Sequence, residues 1–234
     1  MDNKGRNALL ESMHLISSQM RDVIFLNFFD IFDKHILSMF NDAFSSVDLF
    51  CVAIGRVYVT QAGLLLRKLL EEVSIATILV NKPNLLPLYK EHYEFKVKIS
   101  NLTINEQKTK TIEKFKISPK KANNNFLDYG WIEPNCDENK MIEIAGLQDI
   151  IAWKTLYLNK FAHSSITSIS TIGDGTFPIL NEFVLICSKL FDHLCVVFHN
   201  FTGFNFVFNG QDLFHDSFRE NYTAFYNWNS KLNN

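Results

Sequence analysis

Leu64-Leu65-Leu66-Arg67-Lys68-Leu69-Leu70-Glu71-Glu72-Val73 lies within an apolar-periodic run that extends from about Val47 to Val80. Val59, Leu65, Leu66, Leu69, Leu70, Val73 and Val80 fall on one arc of a helical wheel. Arg56, Thr60, Gln61, Arg67, Lys68, Glu71, Glu72 and Ser74 fall on the other. A two-sided pattern at this period is that of a bundle helix with one buried side. Pro83 cannot continue it, and Asn81 is its expected C-terminal residue.

Runs of the same kind flank it. Leu9, Met13, Ile16, Met20, Val23 and Leu26 recur at three and four residues within Ala8 to Phe32, and a shorter run covers about His35 to Phe44. Leu85 to Ile117 is a lysine-rich run that Pro119 ends, and residues 118–140 are the longest irregular stretch. Helical pattern resumes near Met141 and continues to His163. A loop follows over Ser164 to Thr176, with a Gly173-Asp174-Gly175 turn, and Pro178 suits the first turn of a helix to about Asn200. Phe214, Phe218, Tyr222 and Phe225 stripe a last helix, while strand alternation is confined to Phe204 to Phe208. The expected fold is all-α, an up-and-down bundle of about six or seven helices in one domain over residues 1–234.

Composition supports this. The chain has 234 residues, of which 47% are hydrophobic, with 22 Phe against only 9 Gly and 5 Pro, so bulky apolar residues far outnumber helix breakers. The formal net charge of -2 supplies no global field toward nucleic acid or membrane. Cys51, Cys136, Cys187 and Cys195 form no C-x-x-C pair and read as free thiols of a reducing compartment. The start lacks a signal-peptide pattern. The most apolar window, Phe177 to Phe201, is interrupted by Glu182, Lys189, Asp192 and His193, so no membrane span is expected. These readings imply a soluble cytoplasmic protein. Cys195 and His199 alone do not make a zinc site, and no metal or cofactor is expected.

Candidate chemistry concentrates in Trp153-Lys154-Thr155-Leu156-Tyr157-Leu158-Asn159-Lys160-Phe161-Ala162-His163-Ser164-Ser165. Helical geometry places Asn159 and Lys160 on the face of His163. An imidazole moves protons near neutral pH, and a neighbouring ammonium holds a phosphate. Together they suit metal-independent RNA cleavage by a 2′-hydroxyl, with Lys160 or an arginine stabilising the developing charge. His163 equally suits a helix C-terminal cap, worth about 0.3–1 kcal/mol when protonated. Arg67 with Glu71, and Lys68 with Glu72, have i,i+4 spacing. They read either as a phosphate-reaching arginine with its orienter or as two surface ion pairs. The nine lysines from Lys90 to Lys121 read mainly as a solvated helix face.

As a set, three features resemble a known group. These are Arg67 and Glu71 on a long helix, Asp128-Tyr129-Gly130-Trp131 in a loop, and Tyr157-x-Asn159-Lys160-Phe161-x-His163-Ser164 at a helix end. They resemble an uncharacterised family of prokaryotic helical proteins with a Tyr-Gly-Trp loop and a Ser-Lys-x-x-His helix end, and through it the HEPN superfamily. The resemblance spans roughly residues 45–170. It implies a helical bundle, often dimeric, of a kind that includes metal-independent ribonucleases of toxin–antitoxin and phage-defence systems as well as non-catalytic members. The superfamily motif sets an arginine and a histidine apart by four to six intervening residues. His163 matches the histidine, Leu156, Tyr157 and Leu158 occupy the arginine positions, and Asn159 takes the serine slot. The expected pocket has His163 as general acid or base, Arg67 and Lys160 as phosphate clamps, and Glu71, Tyr157 and Asn159 as orienting or binding groups. Expected partners are RNA or a nucleotide, a second copy of the chain and a cognate operon protein. The other reading is a non-catalytic interaction or dimerisation module in which the same polar residues fix helix register.

Overall fold

The computed structural model describes residues 4–158, 176–208, 211–212 and 218–232. The fold is an all-α helical bundle, with ten α-helices among these residues. The only strands among them are a two-residue antiparallel pairing of Val207–Phe208 with Gln211–Asp212. The chain forms two compact units, residues 1–76 with 149–234, and residues 77–148.

The first unit contains α1 (Lys4–Val23), α2 (Lys34–Gly55), most of α3 (Val59–Asn81), α8 (Ile151–Trp153), α9 (Thr176–Thr202) and α10 (Glu220–Leu232). Helix α1 packs on α2, α9 and α10, and α9 packs on α2 and α10. The core is phenylalanine-rich. Around the fully buried Phe198 of α9 stand the rings of Phe40 at 5.1 Å, Phe28 at 5.9 Å, Phe44 at 5.9 Å, Phe204 at 6.2 Å and Phe206 at 6.3 Å. All five meet it edge-on or nearly so, the arrangement that ring quadrupoles favour. Phe191 extends the cluster to Phe218, which precedes α10.

The second unit holds the end of α3, α4 (Leu86–Ile99), α5 (Ile104–Phe115), α6 (Asn124–Tyr129) and α7 (Glu138–Ile144). Its centre is aromatic too. Buried His92 lies 4.4 Å from the Phe115 ring and 5.2 Å from that of Phe126. Trp131 is buried, donates from Nε1 to Asp128 O at 2.8 Å and meets the Tyr89 ring at 5.1 Å. The Tyr-Gly-Trp segment is thus pinned by its tryptophan.

Helix ends depart from the sequence reading in four places. First, the 47–80 run is two helices. Tyr58 N donates to Ala53 O at 2.8 Å and Val57 N to Ile54 O at 3.0 Å, closing a Schellman turn. The left-handed residue of that turn is Val57, at φ 59°. Gly55 stands just before the turn, but the left-handed position itself carries no glycine, and the apolar period runs on through the break. Arg56 therefore caps α2 and does not share the α3 face. Second, the lysine-rich run breaks after Ile99. Thr103 and Glu106 form a capping box that starts α5, so Glu106 serves the helix start, and Lys116 in left-handed conformation ends α5 ahead of Pro119. Third, residues 118–140 are not wholly irregular, since α6 and the start of α7 fall there, capped by Asn123 and Asp137. Fourth, the π-helical turn Ile24–Phe28 adds a residue to the α1 register. Ile24 takes the buried position and Leu26 is 82% exposed.

One helix, α2, is long and apolar enough to cross a membrane by length and composition, which corrects the expectation that no segment qualifies. The sequence reading placed its best window in α9 and split α2 between two runs. Over half of the qualifying α2 window (56%) is buried inside the fold, where Ile36, Leu37, Phe40, Phe44, Val47 and Phe50 face other helices.

Phe198→Ala is expected to cost about 3–5 kcal/mol in urea unfolding, because five rings lose their common neighbour. Val57→Gly is expected to stabilise by about 1 kcal/mol in the same assay, since a β-branched side chain in the left-handed region carries roughly 1–2 kcal/mol of strain. A destabilised glycine variant would show that the turn is not strained.

Candidate functional site

Helix α3 is the part of the expected site that the structure describes. Its apolar arc buries Ala62, Leu66, Leu69, Leu70, Val73 and Ala76. That burial leaves Arg67 and Glu71, four residues apart, half-exposed on a neighbouring face. The partner pair is different in character. Lys68 Nζ lies 3.2 Å from Glu72 Oε1, and the Glu72 side chain is only 14% exposed. Ser46 of α2 donates its hydroxyl to Glu72 Oε2 at 3.0 Å. Burial pushes the Glu72 carboxyl up from 4.5 to about 7, against the opposing pull of Lys68 and Ser46 and with a small further push from Asp42. The sequence reading selected Glu71 and passed over Glu72. The available signal was its seven-residue spacing from Leu65 and Leu79, which carries Glu72 toward the α2 side.

Tyr157 falls within a π-helical turn, Lys154–Leu158, that continues α8. Asn159, Lys160 and His163 lie outside the described residues, as do the 164–175 loop and Phe214. Lys154 opens the π turn and is buried, with 4% of its surface exposed. Lysine is almost never buried without a partner, and Lys154 makes an internal interaction. Single π turns often accompany functional positions. The sequence reading quoted Lys154 without giving it a role, because a lone lysine in an amphipathic helix gives no sign of burial.

A second polar constellation, also missed, joins α1 to α2. His14 Nδ1 lies 2.5 Å from Asp48 Oδ1, and Arg21 Nη1 lies 3.4 Å from Asp48 Oδ2. His14 also borders a groove of about 320 Å³ with Leu10, Glu11, Cys51 and Val52. The Asp48 carboxylate faces both His14 and Arg21 of α1 and so ties the two helices.

The four cysteines are free and buried, as expected. Burial raises the Cys51, Cys187 and Cys195 thiols, and raises Cys136 to about 11. Buried protonated thiols are poor nucleophiles. No group of three or more His, Cys, Asp or Glu side chains is placed to hold a metal among the described residues. His199 instead donates from Nδ1 to Phe204 O at 2.9 Å and secures the turn after α9. Comparison with family models, curated proteins and solved structures returns no match to this chain.

Glu72 has a signed effect on stability. Its folded value lies above its unfolded one, so the native state favours the proton. The resulting stabilisation is complete below about pH 4.5 and is lost as pH rises through about 7. The displacement corresponds to roughly 3 kcal/mol. Glu72→Gln, which keeps an acceptor for Ser46, should flatten the urea midpoint between pH 5 and pH 8. A wild-type midpoint that does not fall over that range would remove Glu72 as the cause.

Proposed function

We propose that this protein is a HEPN-like, RNA- or nucleotide-directed helical protein of a prokaryotic defence or toxin–antitoxin system. In this reading it acts as a metal-independent endoribonuclease. The observation that carries the proposal is the half-exposed Arg67 with Glu71 on α3, in the same chain as a Tyr157-x-Asn159-Lys160-x-x-His163 helix end. His163 accepts or returns the proton of the attacking 2′-hydroxyl. Arg67 and Lys160 hold the phosphate, Glu71 orients Arg67, and Tyr157 and Asn159 line the site. Buried Lys154 stands at the start of the same segment. The all-α bundle is consistent with this reading. The chain works as one domain over residues 1–234, as a cytoplasmic homodimer with a cognate operon protein.

A second reading, a non-catalytic dimerisation module, is favoured by one observation. Phe25, Leu26 and Ile31, at 60%, 82% and 71% exposure, crowd the end of α1, where solvent-facing apolar groups mark interaction surfaces.

Incubation of wild type, Arg67→Ala and His163→Ala with mixed RNA in chelator tests the first reading. Cleavage by wild type should fall at least 100-fold in His163→Ala, a loss typical of removing a general acid or base. Equal cleavage by wild type and His163→Ala rejects His163 as the reacting group, and no cleavage by either favours the module. Sedimentation of Leu26→Asp against wild type tests the dimer, which should become monomeric.

A further inference from the structure

The second unit carries a feature that the proposed function does not use. Two adjoining cavities, of about 440 and 420 Å³, share Asn123 and Asn125 on their walls. The first is bordered by Lys108 and the second by Lys120 and Lys121. Each has a volume typical of small-molecule sites.

The lysines of this unit divide into two kinds. Lys96 is paired with Asp128, and Lys114 lies 2.6 Å from Glu91. Their charge is met within the fold, as on an ordinary solvated helix. Lys108, Lys120 and Lys121 have no carboxylate or hydrogen-bond partner among the described residues. The same holds for the Asn125 and Asn135 amides on the cavity walls. Three ammonium groups and two amides without internal partners therefore border two adjoining hollows that meet at Asn123 and Asn125. The only acid on their walls among the described residues is Asp137, whose Oδ1 accepts from Lys140 N at 2.8 Å. The balance along residues 104–121 is six Lys against Glu106 and Glu113.

We propose that these two adjoining hollows together bind one compact small molecule bearing two or more phosphoryl groups. Lys120 and Lys121 hold one phosphoryl group and Lys108 another, and the Asn125 and Asn135 amides donate to the remaining oxygens. Ammonium groups at several points suit separate phosphates better than one planar carboxylate, which a guanidinium fork matches. The proposal does not rest on Arg67 or His163.

Titration calorimetry of the full chain at low salt tests it, with inorganic tripolyphosphate as the probe. One-site binding is expected, weakening at least tenfold in Lys108→Gln/Lys120→Gln/Lys121→Gln and unchanged in Lys98→Gln. These lysines are exposed, and an unaltered melting curve of the triple variant confirms that it folds. Competition by inositol hexakisphosphate and ATP identifies the source of the phosphates. Displacement by both supports recognition of phosphate alone, and displacement by one assigns the ligand to that class. The proposal is overturned by no binding of tripolyphosphate at millimolar concentration, or by equal loss in Lys98→Gln. Citrate competing as well as tripolyphosphate overturns it too, as does a 12-residue RNA that binds tighter than any small anion and ignores the triple variant.

Discussion

The first unit depends on the edge-on packing of aromatic rings around Phe198. This one side chain of α9 touches Phe28 after α1, Phe40 and Phe44 of α2, and Phe204 and Phe206 beyond its own helix. A planar ring in edge contact has few equivalent ways to sit, so the cluster sets the rotation of α2 and α9 as well as their distance. Aliphatic side chains, with more rotamers and no quadrupole, would fill the volume with less directional preference. That explains how a chain so rich in phenylalanine uses the residue: the rings form the joint between helices.

Once α2 is placed, α3 acquires its register through Ser46. The hydroxyl reaches Glu72 across the α2–α3 contact, and Lys68 approaches the other carboxylate oxygen from one turn away. Lys68 belongs to the same helix and moves with Glu72, so the Ser46 hydrogen bond is what ties this carboxyl across to α2, and a rotation of α3 that breaks it leaves a mostly buried oxygen without that donor. The same rotation decides where Arg67 and Glu71 point.

The all-α class and the α1 core were legible in the sequence because burial there follows the 3.6-residue period directly, and on α3 Leu66, Leu69, Leu70 and Val73 are buried as read, whereas Ser74, read on the polar side, is fully buried. Leu9, Met13, Ile16 and Met20 are all buried as their spacing requires. Asn81 ends α3 as Pro83 demands. The misses share a different origin. At Val57 a side-chain-bearing residue occupies the left-handed position normally taken by glycine, two residues past Gly55, and Lys116 does the same just ahead of the Pro119 that ends the run. At Ile24–Phe28 a hydrogen-bonding change rotates the apolar stripe without changing a residue type. Buried Lys154 and the His14–Asp48 pair were invisible for a third reason. Their meaning comes from neighbours distant in sequence, which periodicity does not report. Of the expected site, Arg67 and Glu71 were legible as a helical pair, whereas Glu72 became visible only once Ser46 stood opposite it.

That last contrast bears on mechanism. Arg67/Glu71 and Lys68/Glu72 are consecutive i,i+4 pairs on one turn and a fraction, about 100° apart around the axis. Glu72 is mostly buried and is tied to Ser46, whereas Lys68 is 58% exposed and Arg67 and Glu71 are partly buried. Because the Glu72 carboxyl is held up near 7, its charge changes within the physiological range. The charged form strengthens the Lys68 attraction, and the neutral form relieves the burial cost and the repulsion from Asp42. Each form therefore weights the α2–α3 contact differently, and Arg67 is carried on the same rigid helix.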